Sequence, residues 1–136
     1  MIRVLTIVGL GSALLLMTAG NHFNSAIQAD ELEDQRITLL TERVELLQQM
    51  TIEGRIGSIE VTRAEMDLLK AQLEYSESDD ASKNLINQLL EKYDQLIEVA
   101  EMRTLTGVSG SPTARADLLL VQSERVRTEI MLAGLQ

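Results

Sequence analysis

The chain contains no cysteine and no tryptophan, and among its 136 residues there are only one proline, one phenylalanine, one histidine and two tyrosines. Without cysteine no disulfide or thiolate centre exists, so side-chain packing must hold the fold unaided. His22 is the single histidine, which excludes a histidine–cysteine metal site and any histidine-based triad. Aromatic residues amount to 2%, too few for the aromatic and β-branched surfaces on which sheets depend. Basic residues are also scarce: 12 Lys and Arg against 21 Asp and Glu leave a net charge of −9. That balance argues against sequence-independent nucleic-acid binding, which needs cations to neutralise phosphates. It argues equally against docking on an anionic lipid surface.

What is plentiful is helix-forming apolar residue. The hydrophobic 45% is mostly Leu, Ile, Val, Ala and Met, a composition suited to helices. With Gly and Pro sparse, helix breakers fall at few places and the elements should be long.

The first thirty residues differ from the rest. Arg3 is the only charged side chain before Asp30, and the apolar stretch Val4–Gly20 lies between them. A short positive start, an apolar run and then small or polar residues is the layout of a secretory signal peptide. Cleavage is expected after Ala29, with Gly20 as the alternative. Residues 1–29 therefore read as a signal peptide, or as an uncleaved anchor, because about 17 residues lie at the lower edge of what spans a bilayer. Export to the periplasm or cell envelope follows from either reading. No cysteine follows the apolar run, so a lipoprotein attachment is excluded.

Residues 30–136 read as a helical hairpin domain. Ile37, Leu40, Val44 and Leu47 step by three and four, with Leu39, Leu46 and Met50 beside them. This is an amphipathic stripe. It stops near Gly54 and Gly57, where a turn is expected and Ser58 is placed to cap the next helix. Val61, Ala64, Leu68, Ala71 and Tyr75 form a second stripe, which fades at Ser76–Asp80. Asp79, Asp80 or Ser82 could cap the third helix, whose stripe is Ile86, Leu89, Tyr93, Leu96 and Ala100. Gly107 and Gly110 mark the next turn. Ser111 as N-cap with Pro112 at the first helical position opens a fourth helix through Ala114, Leu118, Leu119, Val121, Val126 and Ile130.

The two halves align without a gap at an offset of 50 residues. Leu39-Leu40 falls on Leu89-Leu90, Leu46-Leu47 on Leu96-Ile97, Gly57 on Gly107 and Ala64 on Ala114. Asp67-Leu68-Leu69 falls on Asp117-Leu118-Leu119, Gln72 on Gln122 and Glu74 on Glu124. A duplicated helix–turn–helix unit is expected, with repeat 1 over about residues 30–80 and repeat 2 over about 81–136. Helices joined by short glycine-containing turns must lie antiparallel. The expected fold is all-α: antiparallel helical hairpins forming a four-helix bundle, or an extended coiled coil if the second and third helices fuse.

No residue pattern points to catalysis. The carboxylates sit mostly opposite the apolar stripes, on what reads as a solvated face. Glu77-Ser78-Asp79-Asp80 lacks the alternating ligands and glycine of a calcium loop. Gly54, Gly57, Gly107 and Gly110 follow no strand and precede no Gly-Lys-Ser/Thr, so they are turn residues and not a phosphate cradle. No catalytic, cofactor-binding or metal-ligating residue is assigned, no cofactor is expected, and the chain reads as a non-enzyme.

Asp67-Leu68-Leu69-Lys70-Ala71-Gln72-Leu73-Glu74 and Asp117-Leu118-Leu119-Leu120-Val121-Gln122-Ser123-Glu124, each after a glycine-containing turn, resemble the periplasmic coiled-coil hairpins of the TolC-like outer-membrane efflux family. The resemblance covers roughly residues 36–76 and 86–132. It implies an envelope protein built from a duplicated hairpin unit. The family's β-strands have no counterpart here, so a complete efflux duct is not implied. Small periplasmic helical chaperones and stress proteins share the size and the hairpins. Their Leu-Thr-x-x-Gln signature is broken here, with Val44 after Leu40-Thr41 and Ser109 after Leu105-Thr106.

The leading expectation is therefore a non-enzymatic envelope scaffold whose helical seams pair with other copies or with another helical envelope protein. Nucleic acid is excluded as a partner, and the membrane is met only through the N-terminal segment. The alternative is a small periplasmic chaperone. Packing or interface positions are Leu40, Val44, Leu47, Val61, Ala64, Leu68, Ala71, Leu89, Leu96, Leu118, Val121 and Val126. Leu68→Asp or Leu118→Asp should each cost several kcal/mol by burying an unpaired charge. Thermal melts of both variants close to wild type would remove the seam assignment.

Overall fold

The computed structural model describes residues 10–105 and 112–136, with side-chain surroundings given from Gln28 onward except at residues 104, 105 and 113. The described residues are all-α, as expected, and contain no strand. Four helices follow one another: α1 (Leu10–Ile52), α2 (Ser58–Glu74), α3 (Asp79–Leu105) and α4 (Pro112–Gly134). The chain divides into two compact units, Met1–Arg36 and Ile37–Gln136. In the first unit, the described residues belong to α1. Among the described residues no helix is long and apolar enough to cross a membrane. The second unit holds the rest of α1 and the other three helices.

Helix α1 ends where the glycines predict. Arg55 N–H donates to Met50 O at 2.9 Å and Gly54 N–H to Thr51 O at 2.9 Å, the paired bonds of a Schellman motif. Gly54 sits at φ 70°, a left-handed conformation that costs a non-glycine residue its Cβ clearance. Gly57 is the N-cap of α2, in extended backbone and with no side-chain cap. This corrects the expectation for Ser58, which is the first helical residue.

The junction between α2 and α3 is also one step from its expected form. Ser78 is the cap: its Oγ accepts from Ala81 N–H at 3.2 Å and its carbonyl accepts from Ser82 N–H at 2.9 Å. Asp79 and Asp80 lie in the first turn, where the helix dipole favours negative charge. Ser82 Oγ donates to Ser76 Oγ at 3.0 Å, tying the two sides of the junction. The helices are therefore separate, and the fused coiled-coil alternative does not occur. Pro112 is the first residue of α4, as expected. The Gly107–Gly110 turn and the Ser111 cap lie outside the described residues.

Helix α3 packs against both α2 and α4. Ile86, Leu89, Tyr93 and Leu96, at steps of three and four, are all buried. Leu89, Tyr93 and Leu96 form one cluster with Met66 and Leu69 of α2, and Ile59, Leu73, Leu85 and Val121 close its edges. Ile86 is 1% exposed and Ile130 of α4 is 67% exposed. Ile86→Ala should cost about 2–5 kcal/mol, the range for a core truncation. Ile130→Ala should stay within about 0.5 kcal/mol. Urea unfolding of the two variants checks the contrast, and equal midpoints would contradict this placement of the core.

Candidate interaction surface

The helices differ in how many of their faces neighbours cover. Helix α2 is covered on two sides. Residues two apart on a helix point about 200° apart, from 3.6 residues per turn, so Ala64 and Met66 face opposite ways, and both are buried. Met66 and Leu69 meet α3. Ala64 and Ala71, with half-buried Val61 and Leu68, form the other side. Helix α1 reaches this side. Arg43 Nη1 donates to Asp67 Oδ2 at 2.8 Å and Gln48 Nε2 to Glu65 Oε1 at 3.3 Å, one bond at each edge of the alanine face. The falling number in α1 against the rising number in α2 makes the pair antiparallel.

Charged pairs repeat this arrangement along the bundle. Lys92 Nζ of α3 lies 2.7 Å from Glu65 Oε2 of α2. Arg125 of α4 reaches Asp94 of α3 through Nε at 2.6 Å and Glu129 of its own helix through Nη1 at 2.6 Å. The hydrogen bond to Asp94 and then that to Glu129 raise the Arg125 pKa above its ordinary value, so it stays cationic throughout the accessible pH range. The one buried polar side chain among the described residues, Thr128, donates to Glu124 O at 2.9 Å.

Most of the expected packing positions lie inward. Val44, Ala64, Ala71, Leu89 and Leu96 are buried, and Leu40, Leu47, Val61, Leu68, Leu118 and Val121 are half-buried. Because Leu68 and Leu118 keep contact with water, an aspartate there can hydrate partly. Their half-burial lowers the expected cost below the several kcal/mol of a fully buried charge. Val126 is a correction of kind: it is 52% exposed and lies on the outer side of α4. Thr128, two residues on, takes the inward place.

The periodicity missed a whole face. Leu119, Val126 and Ile130 are exposed together. With Ala116, Ser123 and Ala133 they step 3-4-3-4-3 along α4, the a/d spacing of a coiled-coil seam. Leu120 and Met131 flank this stripe and are exposed as well. On α1, Leu39 and Leu46 are exposed one heptad apart. Leu39 and Leu46, expected beside the α1 stripe, face outward. Between α2, α3 and α4 opens a cleft of about 370 Å³, floored by Leu73, Leu89, Tyr93 and Met131 and rimmed by Lys70 and Arg127. Lys70 Nζ stands 5.7 Å from the Tyr93 ring centroid, within cation–π range.

No protein-family model matches the chain, and no match is found among curated proteins or solved structures.

The side chains of Glu65 and Lys92 are only 24% and 25% exposed, which limits solvent screening. A double-mutant cycle with Glu65→Gln and Lys92→Met should give a coupling of about 0.5–1 kcal/mol, the upper part of the range for exposed pairs. The coupling should shrink between low and 1 M salt; none at low salt would mean that the pair does not fix α2 against α3.

Proposed function

We infer that this chain is a non-enzymatic scaffold of the cell envelope that works by presenting antiparallel helical hairpins to other helices. One observation carries the reading: α4 is folded against α3 by one face and offers a second apolar face, at coiled-coil spacing, to the surroundings. A narrow Leu/Val/Ile stripe at that spacing buries best against another helix. Exposed apolar patches of this kind mark interaction sites. The envelope location is supported by the single cation, apolar run and small residues at the start of the chain. The hairpin resemblance to TolC-like efflux proteins supports the same setting.

The exposed leucines also favour the second reading, a periplasmic chaperone that holds unfolded segments. Two features weigh against it. The exposed residues of α4 lie in regular register along one helix, as a coiled-coil seam does. The cleft of about 370 Å³ is near the small end of the roughly 300–1,000 Å³ range of ligand pockets, too little for an extended peptide.

An aggregation assay separates the two. Added at equimolar ratio to a thermally unfolding test protein, the full chain should leave light scattering unchanged. Suppression of aggregation, abolished by Leu119→Asp with Ile130→Asp, would replace the scaffold with the chaperone.

A further inference from the structure

The internal repeat gives each face of α1 and α4 a counterpart within the chain, and the counterparts agree in burial on one side only. On the sides that close each hairpin, equivalent positions match: Leu40 and Leu90, Leu47 and Ile97, and Leu68 and Leu118 are all half-buried. On the opposite sides they diverge. Leu89 is 2% exposed but its equivalent Leu39 is 58% exposed; Leu69 is 8% exposed but its equivalent Leu119 is 57% exposed. Leu96 and Leu46 differ in the same way. The diverging positions are those through which α2 packs on α3. This interface joins repeat 1 to repeat 2, and its leucines recur, exposed, as Leu119 on α4 and as Leu39 and Leu46 on α1, while Ala116 stands for Met66 and Arg43 for Tyr93.

We propose that these exposed faces fit each other between molecules, so that α4 of one copy packs on α1 of a second copy in the manner of α2 on α3. The charges support the pairing. The α2–α3 contact is flanked by the ion pair Glu65–Lys92. Fifty residues on from Glu65 stands Arg115, and fifty before Lys92 stands Glu42. Both members have changed sign, so the pair is again opposite: Arg115 of α4 would face Glu42 of the neighbouring α1. Both residues are exposed. In the same register Leu119 lies opposite Leu39, as Leu69 lies in one cluster with Leu89. The charge of α4 also favours its burial, since Arg115, Arg125 and Arg127 balance Asp117, Glu124 and Glu129 within a chain of net charge −9. The contact is heterologous, so it propagates into a closed ring or an open chain of copies. It rests on the scaffold reading and names the partner as a second copy.

The absence of native cysteine makes disulfide trapping clean. In the full chain, oxidation of a mixture of Leu39→Cys and Leu119→Cys should give a covalent dimer. Neither variant should cross-link alone, and the double variant should give higher oligomers. Cross-linking of Leu119→Cys with itself would establish α4–α4 pairing and overturn the proposal. A double variant that closes only within one molecule would overturn it too. Sedimentation provides the second arm. Glu42→Arg and Arg115→Glu should each weaken self-association about tenfold, as an interfacial like-charge contact does, and the two together should restore it. Helicity by circular dichroism should stay at the wild-type level, because both residues are exposed. Failure of the swap to restore association would sink the head-to-tail register. A monomer at all concentrations would remove the self-partner while leaving a scaffold with a different helical partner, a result distinct from the aggregation assay above.

Discussion

The second unit is organised by the burial of one stripe on α3. Ile86, Leu89, Tyr93 and Leu96 lie on a single face, and that face is enclosed because α2 and α4 both lean on it. A helix with one apolar stripe needs a cover wider than a single helix can supply. Two antiparallel neighbours supply it, and Val121 from α4 meets the same cluster as Met66 and Leu69 from α2. In a core with so few aromatic residues, Tyr93 contributes the largest ring, and Lys70 stands over it from α2. The position of α4 follows from that of α3, and the second face of α4 is bare because α3 has occupied the first. What the surface offers to a partner is thus a consequence of how the core closes.

Electrostatics sets register more than stability here. The interhelical pairs Arg43–Asp67, Glu65–Lys92 and Asp94–Arg125 sit at the margins of the apolar contacts; solvent screens the first and last more than the less exposed Glu65–Lys92, which contributes about 1 kcal/mol or less, and the other two contribute little. Their value is positional. A one-residue slip of α2 against α3 would move Glu65 about 1.5 Å along the axis and turn it by roughly 100°, away from Lys92. With an acidic surplus spread over α1, α2 and α3, like-charge repulsion would otherwise push antiparallel neighbours apart. In each of these contacts a cation of one helix meets a carboxylate of its neighbour.

The fold was legible wherever a helix had one apolar side. The α3 stripe could be read residue by residue because the opposite side carries Asn84, Gln88, Glu91 and Asp94. The ends of α1 and α2 were legible from Gly54, Gly57 and the Ser76–Asp80 tract. The caps slipped by one residue at Ser58 and Ser78, since neighbouring serines and aspartates can cap almost equally well. Helix α4 was misread at Val126 for a different reason. It is apolar on two sides, so a three-and-four step can be drawn through Leu118, Val121 and Leu132 or through Leu119, Val126 and Ile130. Spacing alone cannot choose between them. Arg125 carries the missing information: a cation on the inward side needs an acid on α3, and Asp94 is there. For the same reason the outward leucines Leu39 and Leu46 looked like part of a broad buried face until their neighbours Arg43 and Glu42 were placed.

Stacked helical repeats face a general difficulty at their ends. Each internal unit hides its apolar face against the next, and the terminal units must either change that face to a polar one or find a cover. On the 50-residue offset read from the sequence, the outer two of the four described helices, α1 and α4, show the first only in part. On α1 the counterpart of Ile86 is Arg36 and that of Tyr93 is Arg43, so two of the core positions have become charged while Leu39 and Leu46 remain. On α4 the replacement is weaker: Met66 corresponds to Ala116 and Leu73 to Ser123, while Leu69 is kept as Leu119. Lys70, which stands over Tyr93 in the internal interface, corresponds to Leu120, so at this one position the outer face is apolar where the internal one is charged. Leu39, Leu46 and Leu119, the apolar Leu120 and the opposite charges of Arg115 and Glu42 are together what the proposed contact between copies requires.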